Sequence, residues 1–129
     1  MDTEGLLLRV ACLPADIQDW DAAQDLFLVA RPISPRLALV WADGAYGRNG
    51  LPEWAEEQCG WRLEIVSRPP GQRGFAVIPR RWTVERTFGW LLRHRRLSKD
   101  YEELAETTEA WVYLAMIRLM LRRLAPQAA

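Results

Sequence analysis

A single acidic residue lies within a basic, aromatic stretch of the chain. Between Arg80 and Lys99 there are seven basic residues and one acid, Glu85. A carboxylate among arginines either forms ion pairs with them or holds a metal ion beside a bound polyanion. On a helix, Arg81 shares the face of Glu85 one turn earlier, and such an exposed pair contributes only about 0.2–0.5 kcal/mol. Both interpretations remain open from this spacing.

A second carboxylate, Asp43, follows the most apolar short run of the chain. Residues 37–42 (LALVWA) predict a buried strand, and Asp43 is the first polar residue after it. Functional side chains in α/β sheets gather at the carboxyl ends of strands, where we expect this carboxylate to be preorganised and partly desolvated. The alternative is a turn-forming aspartate whose side chain accepts from the backbone of Gly44 and Ala45.

Two carboxylates on different elements beside a basic helix suggest metal-assisted phosphoryl transfer. Each Mg²⁺ ion takes one or two carboxylates together with phosphate oxygens. Two such ions activate the attacking oxygen and stabilise the leaving one. The arginines would then contact a nucleic-acid backbone. Trp82 and Trp90 have the rings to stack on bases, although most tryptophans of a small domain belong to its core.

The apolar patterns predict which elements position these residues. They indicate strands over residues 6–13, 37–42 and 61–66, a short extended piece at 75–78, and helices within 15–30 and over 51–59, 81–97 and 107–124. The first helix is expected to be capped by Asp19 or Asp21, and the last by Thr107. Strands alternating with helices predict an α/β domain. In the last helix, a stripe at helical spacing is expected to face the core: Trp111, Leu114, Ile117 and Leu121.

Composition limits the class of protein. A chain of 129 residues, half of them hydrophobic, is long enough for one folded domain. Residues 1–60 carry a net charge of −6 and residues 61–129 a net +6, which favours one face for a polyanion, or else two solvated faces that attract each other. Cys12, Cys59 and the lone His94 do not make an ordinary zinc site, so we expect reduced thiols. No run predicts a signal peptide or a membrane span, and we expect a cytoplasmic protein.

Four segments resemble conserved motifs of one family of enzymes. VWADGAY (residues 40–46) resembles its "ADxxY" strand end, and PRRWTVERTF (residues 79–88) its "PRRWxVERTF" helix start. RRLSKDYE (residues 95–102) resembles "RRLxxDYE", and DTEGLLL (residues 2–8) resembles "VDTxGLLL". The chain is therefore similar to bacterial DDE transposases of the insertion-sequence-5 type, whose catalytic core is RNase-H-like.

The resemblance implies a role for each matching residue. Asp43 corresponds to the second catalytic aspartate, Glu85 to the catalytic glutamate and Arg81 to the signature arginine. The two carboxylates would be ligands of Mg²⁺ or Mn²⁺. Ile78 and Leu92 occupy the positions of the signature's tyrosine and lysine, so the chain differs from the signature at both positions. The partners implied are transposon-end and target DNA and a second protomer, with DNA contacts from Arg80, Arg86, Arg93, Arg95, Arg96 and Lys99.

The family's first catalytic aspartate has no counterpart in the sequence. It lies in an earlier "DSxSVK"-like strand, and Asp2 corresponds to a position at the end of the next strand. The resemblance thus implies that residues 1–129 are the C-terminal part of a catalytic domain. The fold expected is a truncated RNase-H-like α/β fold without its first strand or the upstream DNA-binding segment. Such a chain would be the second frame of a split transposase, fused to an upstream-frame product, or a non-catalytic remnant that binds DNA or transposase.

Overall fold

The chain divides into two units. The computed structural model describes residues 1–67, 70–71, 73–74 and 80–125. Leu13–Arg81 form one unit, here the sheet unit, and Met1–Cys12 with Trp82–Ala129 form the other, here the helical unit. The elements are α1 (Ala23–Ala30), β1 (Leu39–Asp43), α2 (Leu51–Cys59), β2 (Arg62–Val66), α3 (Arg81–Leu91) and α4 (Ala105–Leu124), with 3₁₀ turns at Arg31–Ile33, Gly44–Gly47 and Arg95–Leu97.

In the sheet unit, β1 and β2 are parallel neighbours joined through α2. Leu39 lies opposite Arg62 and Asp43 lies opposite Val66. The helix between them has the predicted bounds, because Pro52 suits its first turn and Gly60 ends it in the left-handed conformation at φ 71°. The predicted α/β character is thereby confirmed. The RNase-H-like topology stays a prediction, since the described residues form a sheet of two strands.

Apolar side chains from α1, α2 and β2 make the core of the sheet unit. Leu51 and Ala55 on α2 are almost completely inaccessible to water. They cluster with Ala23 on α1 and Leu63 on β2. A neighbouring cluster holds Trp61, whose ring meets Phe27 edge-on at a centroid distance of 5.4 Å. This packing supports the strand that ends at Asp43.

The helical unit has a separate core and no strand among its described residues. Leu91 at the end of α3 packs with three buried residues of α4, which are Val112, Ala115 and Met116. Leu6, Leu7 and Val10 of the N-terminal segment cover this cluster. The segment therefore belongs with α3 and α4 although most of the chain separates it from them in sequence.

The prediction of a strand over residues 6–13 is wrong. The Val10 N–H donates to the Tyr113 hydroxyl at 3.2 Å, and the Cys12 N–H donates to the Glu109 carboxylate at 2.8 Å. Two donors that a strand would offer to a neighbouring strand are thus used by side chains of α4. The apolar content of the segment reflects packing of Leu6, Leu7 and Val10 on the α4 cluster and not pairing in a sheet.

Several helix ends differ from the predictions. The third helix ends at Leu91 and not at residue 97, because His94 is extended and Leu97 turns back onto the α4 core. Neither α1 nor α4 has a side-chain cap, so the proposed caps Asp19, Asp21 and Thr107 are wrong. The extended piece predicted at 75–78 lies outside the described residues. Within the described ranges, no helix is long and apolar enough to cross a membrane.

The predicted core stripe of α4 faces water. Leu114, Ile117 and Leu121 are 56%, 50% and 60% exposed. Trp111 is half-buried under the Arg96 guanidinium, which lies 5.4 Å from the ring centroid. The buried residues instead lie on the opposite side of the helix. Helical spacing identified the helix correctly, but α4 has two apolar faces and only its neighbours determine which one is covered.

Candidate catalytic carboxylates and nucleic-acid interface

Asp43 is the last residue of β1 and caps the 3₁₀ turn that follows. Its Oδ1 accepts the Ala45 N–H at 2.9 Å, which is the turn-forming contact considered as an alternative from the sequence. The side chain is exposed, so the expected partial desolvation is wrong. Its second carboxylate oxygen makes no hydrogen bond within the described residues. One oxygen is therefore fixed by the backbone while the other is available to a ligand.

Asp19 lies close enough to Asp43 for both charges to act on Tyr46, and nothing in the sequence indicated this proximity. The pKa of Tyr46 is raised, first by burial and then by the negative charges of Asp19 and Asp43. Asp19 thus shares the electrostatic neighbourhood of Asp43, although no motif or spacing connects them. In the part of the chain that the structure describes, no three Asp, Glu, His or Cys side chains come together as a metal-ligand group.

Glu85 is exposed in the second turn of α3, within the helical unit. Arg81 precedes it by one turn, and both residues take part in interactions within the chain. Gly89, one turn later, has open space where a Cβ would lie. The two candidate carboxylates therefore belong to different units, Asp43 at a strand end and Glu85 on a helix.

The N-terminal turn, residues 2–6, is attached to α3 beside Glu85. Asp2 closes the turn, because its Oδ1 accepts the N–H groups of Glu4 and Leu6 at 2.9 Å each. Arg86 donates to the Glu4 carbonyl at 2.8 Å, and the Thr87 hydroxyl donates to the Gly5 carbonyl at 2.7 Å. Asp2 therefore has a structural role in this turn, and its exclusion from the first catalytic position stays a prediction.

Arg86 lies between two tryptophan rings of the same helix. Its guanidinium carbon is 4.2 Å from the centroid of Trp82 and 4.9 Å from that of Trp90. Arg123 of α4 lies 4.8 Å from the Trp90 centroid. These cation–π contacts each stabilise by about 0.5–2 kcal/mol. The two rings considered for base stacking thus already contact the chain's own arginines, and Arg86 is engaged within the fold.

Two more of the expected DNA-contacting arginines also have internal partners. Arg80 lies 3.7 Å from the ring centroid of Trp41, whose Nε1 donates to Glu64 at 3.1 Å. Arg96 forms an ion pair with Glu102 at 2.6 Å. Both residues are nevertheless exposed, so these contacts engage part of each guanidinium without removing it from solvent.

The remaining three expected DNA contacts differ in having no side-chain partner among the described residues. Arg93, Arg95 and Lys99 are exposed, and within the described ranges their side chains have no hydrogen bond, ion pair or ring contact. They lie between the end of α3 and the start of α4. The six residues are equivalent as charges along the chain, and the structure separates them into three with internal partners and three without such partners among the described residues.

The two cysteines are not candidates for nucleophilic catalysis. Both are free thiols, in agreement with the expectation from the sequence. Burial raises the pKa of Cys12, and the charges of Glu109 and Asp100 add to this effect. Burial also raises the pKa of Cys59, with Arg31 acting in the opposite direction. Raised pKa values keep both thiols protonated, and a protonated thiol is a poor nucleophile.

Comparison with known proteins identifies one family. A family model described as the transposase DDE domain matches residues 1–120, nearly the whole chain. No curated protein matches, and neither does any solved structure.

Proposed function

Because the chain belongs to the transposase DDE domain family, we propose that it acts in DNA transposition as the C-terminal part of an insertion-sequence-5-type catalytic domain. The observation that carries this proposal is the family match over residues 1–120. It includes all four segments on which the sequence resemblance rests. We further propose Asp43 and Glu85 as the second and third carboxylates of the DDE set, with Arg81 as the signature arginine beside Glu85.

The donor chemistry of these residues suits a hard divalent cation. Members of the family are generally dependent on divalent metals, and carboxylate oxygens are the ligands that Mg²⁺ and Mn²⁺ prefer. Asp43 would use the oxygen that the Ala45 N–H leaves open, and Glu85 would supply its exposed carboxylate. When bound, the ions would activate the attacking oxygen and stabilise the leaving oxygen at a phosphodiester.

The chain's own residues would position the carboxylates and contact the DNA. The Ala45 N–H orients the Asp43 carboxylate, and Arg86 and Thr87 attach the N-terminal turn next to Glu85. Arg93, Arg95 and Lys99 lack internal partners among the described residues and would contact strand phosphates. Arg80, Arg86 and Arg96 would act mainly through their internal contacts, which fix the positions of neighbouring side chains and of the N-terminal turn.

A strand-transfer assay tests the catalytic proposal. Two matched carboxylates are fewer than the family's three, so we expect the 129-residue polypeptide to bind DNA without cutting or joining it in Mg²⁺ or Mn²⁺. The assay uses labelled transposon-end DNA and a target plasmid. Strand transfer by this polypeptide that disappears in Glu85→Gln would show that two matched carboxylates suffice and would overturn the expectation.

DNA binding is tested separately through its salt dependence. Removing one phosphate-binding cation should lower the log–log salt slope by about 0.7–0.9. The double variant Arg95→Gln/Lys99→Gln should therefore have a slope smaller by about 1.5. The control Arg36→Gln/Arg62→Gln removes the same charge from the sheet unit and should leave the slope nearly unchanged. Absence of binding at low salt would contradict a role in handling DNA.

The accessible cations also support a second candidate function, a non-catalytic DNA- or transposase-binding module. Arg93, Arg95 and Lys99 are exposed and available for phosphates whether or not the carboxylates act. Such a chain would reduce strand transfer by an intact transposase of the same type when added in excess. Inhibition that is relieved in Arg95→Gln/Lys99→Gln would favour competition for DNA, whereas inhibition that persists would favour binding to the transposase.

A further inference from the structure

A cavity of about 280 Å³ lies in the helical unit between the end of α3 and the C-terminal half of α4. Its floor is apolar, since three of the lining residues, Leu91, Ala115 and Met116, are buried. The other lining residues include Arg93 and His94 from the end of α3 and Arg118 and Arg122 from α4. Of these, only Arg93 was expected from the sequence to contact a ligand.

The lining of the cavity carries positive charge, with no counter-charge from the described residues. Three arginines line it, and no carboxylate of the described residues does. Among the described residues, the side chains of Arg93, Arg118 and Arg122 have no hydrogen bond or ion pair. Arg118 and Arg122 are one helical turn apart, a spacing at which like charges destabilise a helix. An anion in the cavity would remove this repulsion.

The chemistry of the lining indicates which anion fits. Guanidinium groups bind phosphate through paired hydrogen bonds, so three of them around one cavity favour a phosphate group. The apolar floor suits a ligand that carries an uncharged part beside its charge. A nucleotide unit has both features, with the sugar able to lie on the floor and the phosphate at the arginines.

We infer that this cavity binds a phosphate of a DNA strand, with Arg93, Arg118 and Arg122 as the phosphate-binding residues and His94 at its edge. The inference rests on the proposed function, because the ligand is DNA. It extends the DNA-contacting surface from the residues after α3 onto α4, where the sequence predicted only a core helix.

His94 provides a single reporter for this cavity, because it is the only histidine of the chain. Its ring signals in NMR spectra of the full chain can be followed while DNA is added. The probes are a short single-stranded DNA with a 5′-phosphate, the same strand with a 5′-hydroxyl, and inorganic phosphate. We expect the His94 signals to shift with DNA and to respond to inorganic phosphate only at much higher concentration.

The matched variants are Arg118→Gln/Arg122→Gln in the cavity and Arg36→Gln/Arg62→Gln in the sheet unit. The cavity variant should require about tenfold more DNA for half-saturation, and its salt slope should fall by about 1.4 for a single strand. The control should change the half-saturation point less than about threefold. Thermal melting checks that both variants fold, and all four side chains are exposed, so folding should be retained.

Each outcome has a defined meaning. A response limited to the 5′-phosphorylated strand assigns a terminal phosphate, and an equal response to both strands assigns an internal one. Unmoved His94 signals, or equal weakening in both double variants, would show that these arginines are merely solvated and would overturn the inference. If Arg95→Gln/Lys99→Gln weakens DNA binding while Arg118→Gln/Arg122→Gln does not, the cavity is not a DNA site but the proposed function stands.

Discussion

The sheet unit and the helical unit hold their candidate carboxylates by different means. In the sheet unit, Asp43 ends a strand that is paired along its length with β2 and supported by apolar clusters. In the helical unit, Glu85 lies beside a turn that is attached by single side-chain hydrogen bonds from Arg86 and Thr87. Further along the same segment, Tyr113 and Glu109 hold the backbone of Val10 and Cys12.

This difference indicates where each unit is vulnerable. A ladder of backbone hydrogen bonds is insensitive to side-chain identity, so the sheet unit should depend mainly on the apolar volume of its core. The N-terminal segment of the helical unit depends on particular polar side chains and on one glycine. Truncating a core side chain should therefore destabilise the sheet unit, whereas replacing the glycine or a polar side chain should destabilise the N-terminal segment of the helical unit.

The largest effect is expected from Leu51→Ala in the sheet unit. Leu51 is 1% exposed, and truncating a buried leucine costs about 2–5 kcal/mol of folding free energy. Leu28→Ala is the matched control, since Leu28 is 49% exposed and should cost under about 1 kcal/mol. Chemical denaturation gives the free energies, and hydrogen exchange should localise the effect to β1 and β2. Equal costs for the two variants would contradict a packed core around Leu51.

The next effect is expected from Gly5→Ala in the helical unit. Gly5 has φ +80°, and a Cβ there would lie 2.7 Å from the Thr87 hydroxyl oxygen. Strain in the left-handed region together with this clash should cost about 2 kcal/mol or more. Gly44→Ala is the control, because a Cβ at Gly44 meets nothing within 4 Å and its φ is not positive. Hydrogen exchange measures the effect, and residues 2–12 should exchange faster in Gly5→Ala than in Gly44→Ala.

A double-mutant cycle shows whether the contact with Thr87 causes part of this destabilisation. Thr87→Ala removes the hydroxyl and leaves the Gly5 carbonyl without its donor, at a cost of about 1–3 kcal/mol. In the double variant the clash is gone, so its total cost should be smaller than the sum of the two single costs. Strict additivity would mean that the N-terminal turn is not attached through Thr87.

The smallest effect concerns the thiol of Cys12. The negative charge of Glu109 contributes to its raised pKa, after burial. Glu109→Gln keeps an oxygen acceptor for the Cys12 N–H but removes the charge, so the thiol pKa should fall and the thiolate fraction rise. We expect alkylation of Cys12 near neutral pH to accelerate about twofold, measured in a Cys59→Ser background. An unchanged rate would indicate that Glu109 does not lie against this segment.

Local signals predicted some elements well. The bounds of α2 follow from Pro52 and Gly60, since proline suits the start of a helix and glycine the left-handed residue after it. β1 and β2 were recognised as short apolar runs between such breakers. Residues 6–13 carry the same apolar signal without forming a strand, because α4 supplies their hydrogen-bond partners.

The candidate site was predictable only in part. The positions of Asp43 and Glu85 follow from motifs in the sequence. Which of the six cations have internal partners does not, because all six are equivalent as charges along the chain. Arg80, Arg86 and Arg96 have such partners, whereas Arg93, Arg95 and Lys99 have none among the described residues. The placement of Arg118 and Arg122 was missed for the same reason, as nothing in α4 indicates that they face the end of α3.

The sequence by itself determined the family, the two candidate carboxylates and most of the helices, because these depend on residue identities at short spacing. The tertiary structure decided which face of α4 is buried, which cations have internal partners and what holds residues 1–12. It also decided how charge is shared between the units. The two halves of the sequence carry −6 and +6, but the helical unit, which includes residues 1–12, carries about +1 and the sheet unit about −1. Such properties depend on residues distant in sequence that become neighbours only when the chain folds.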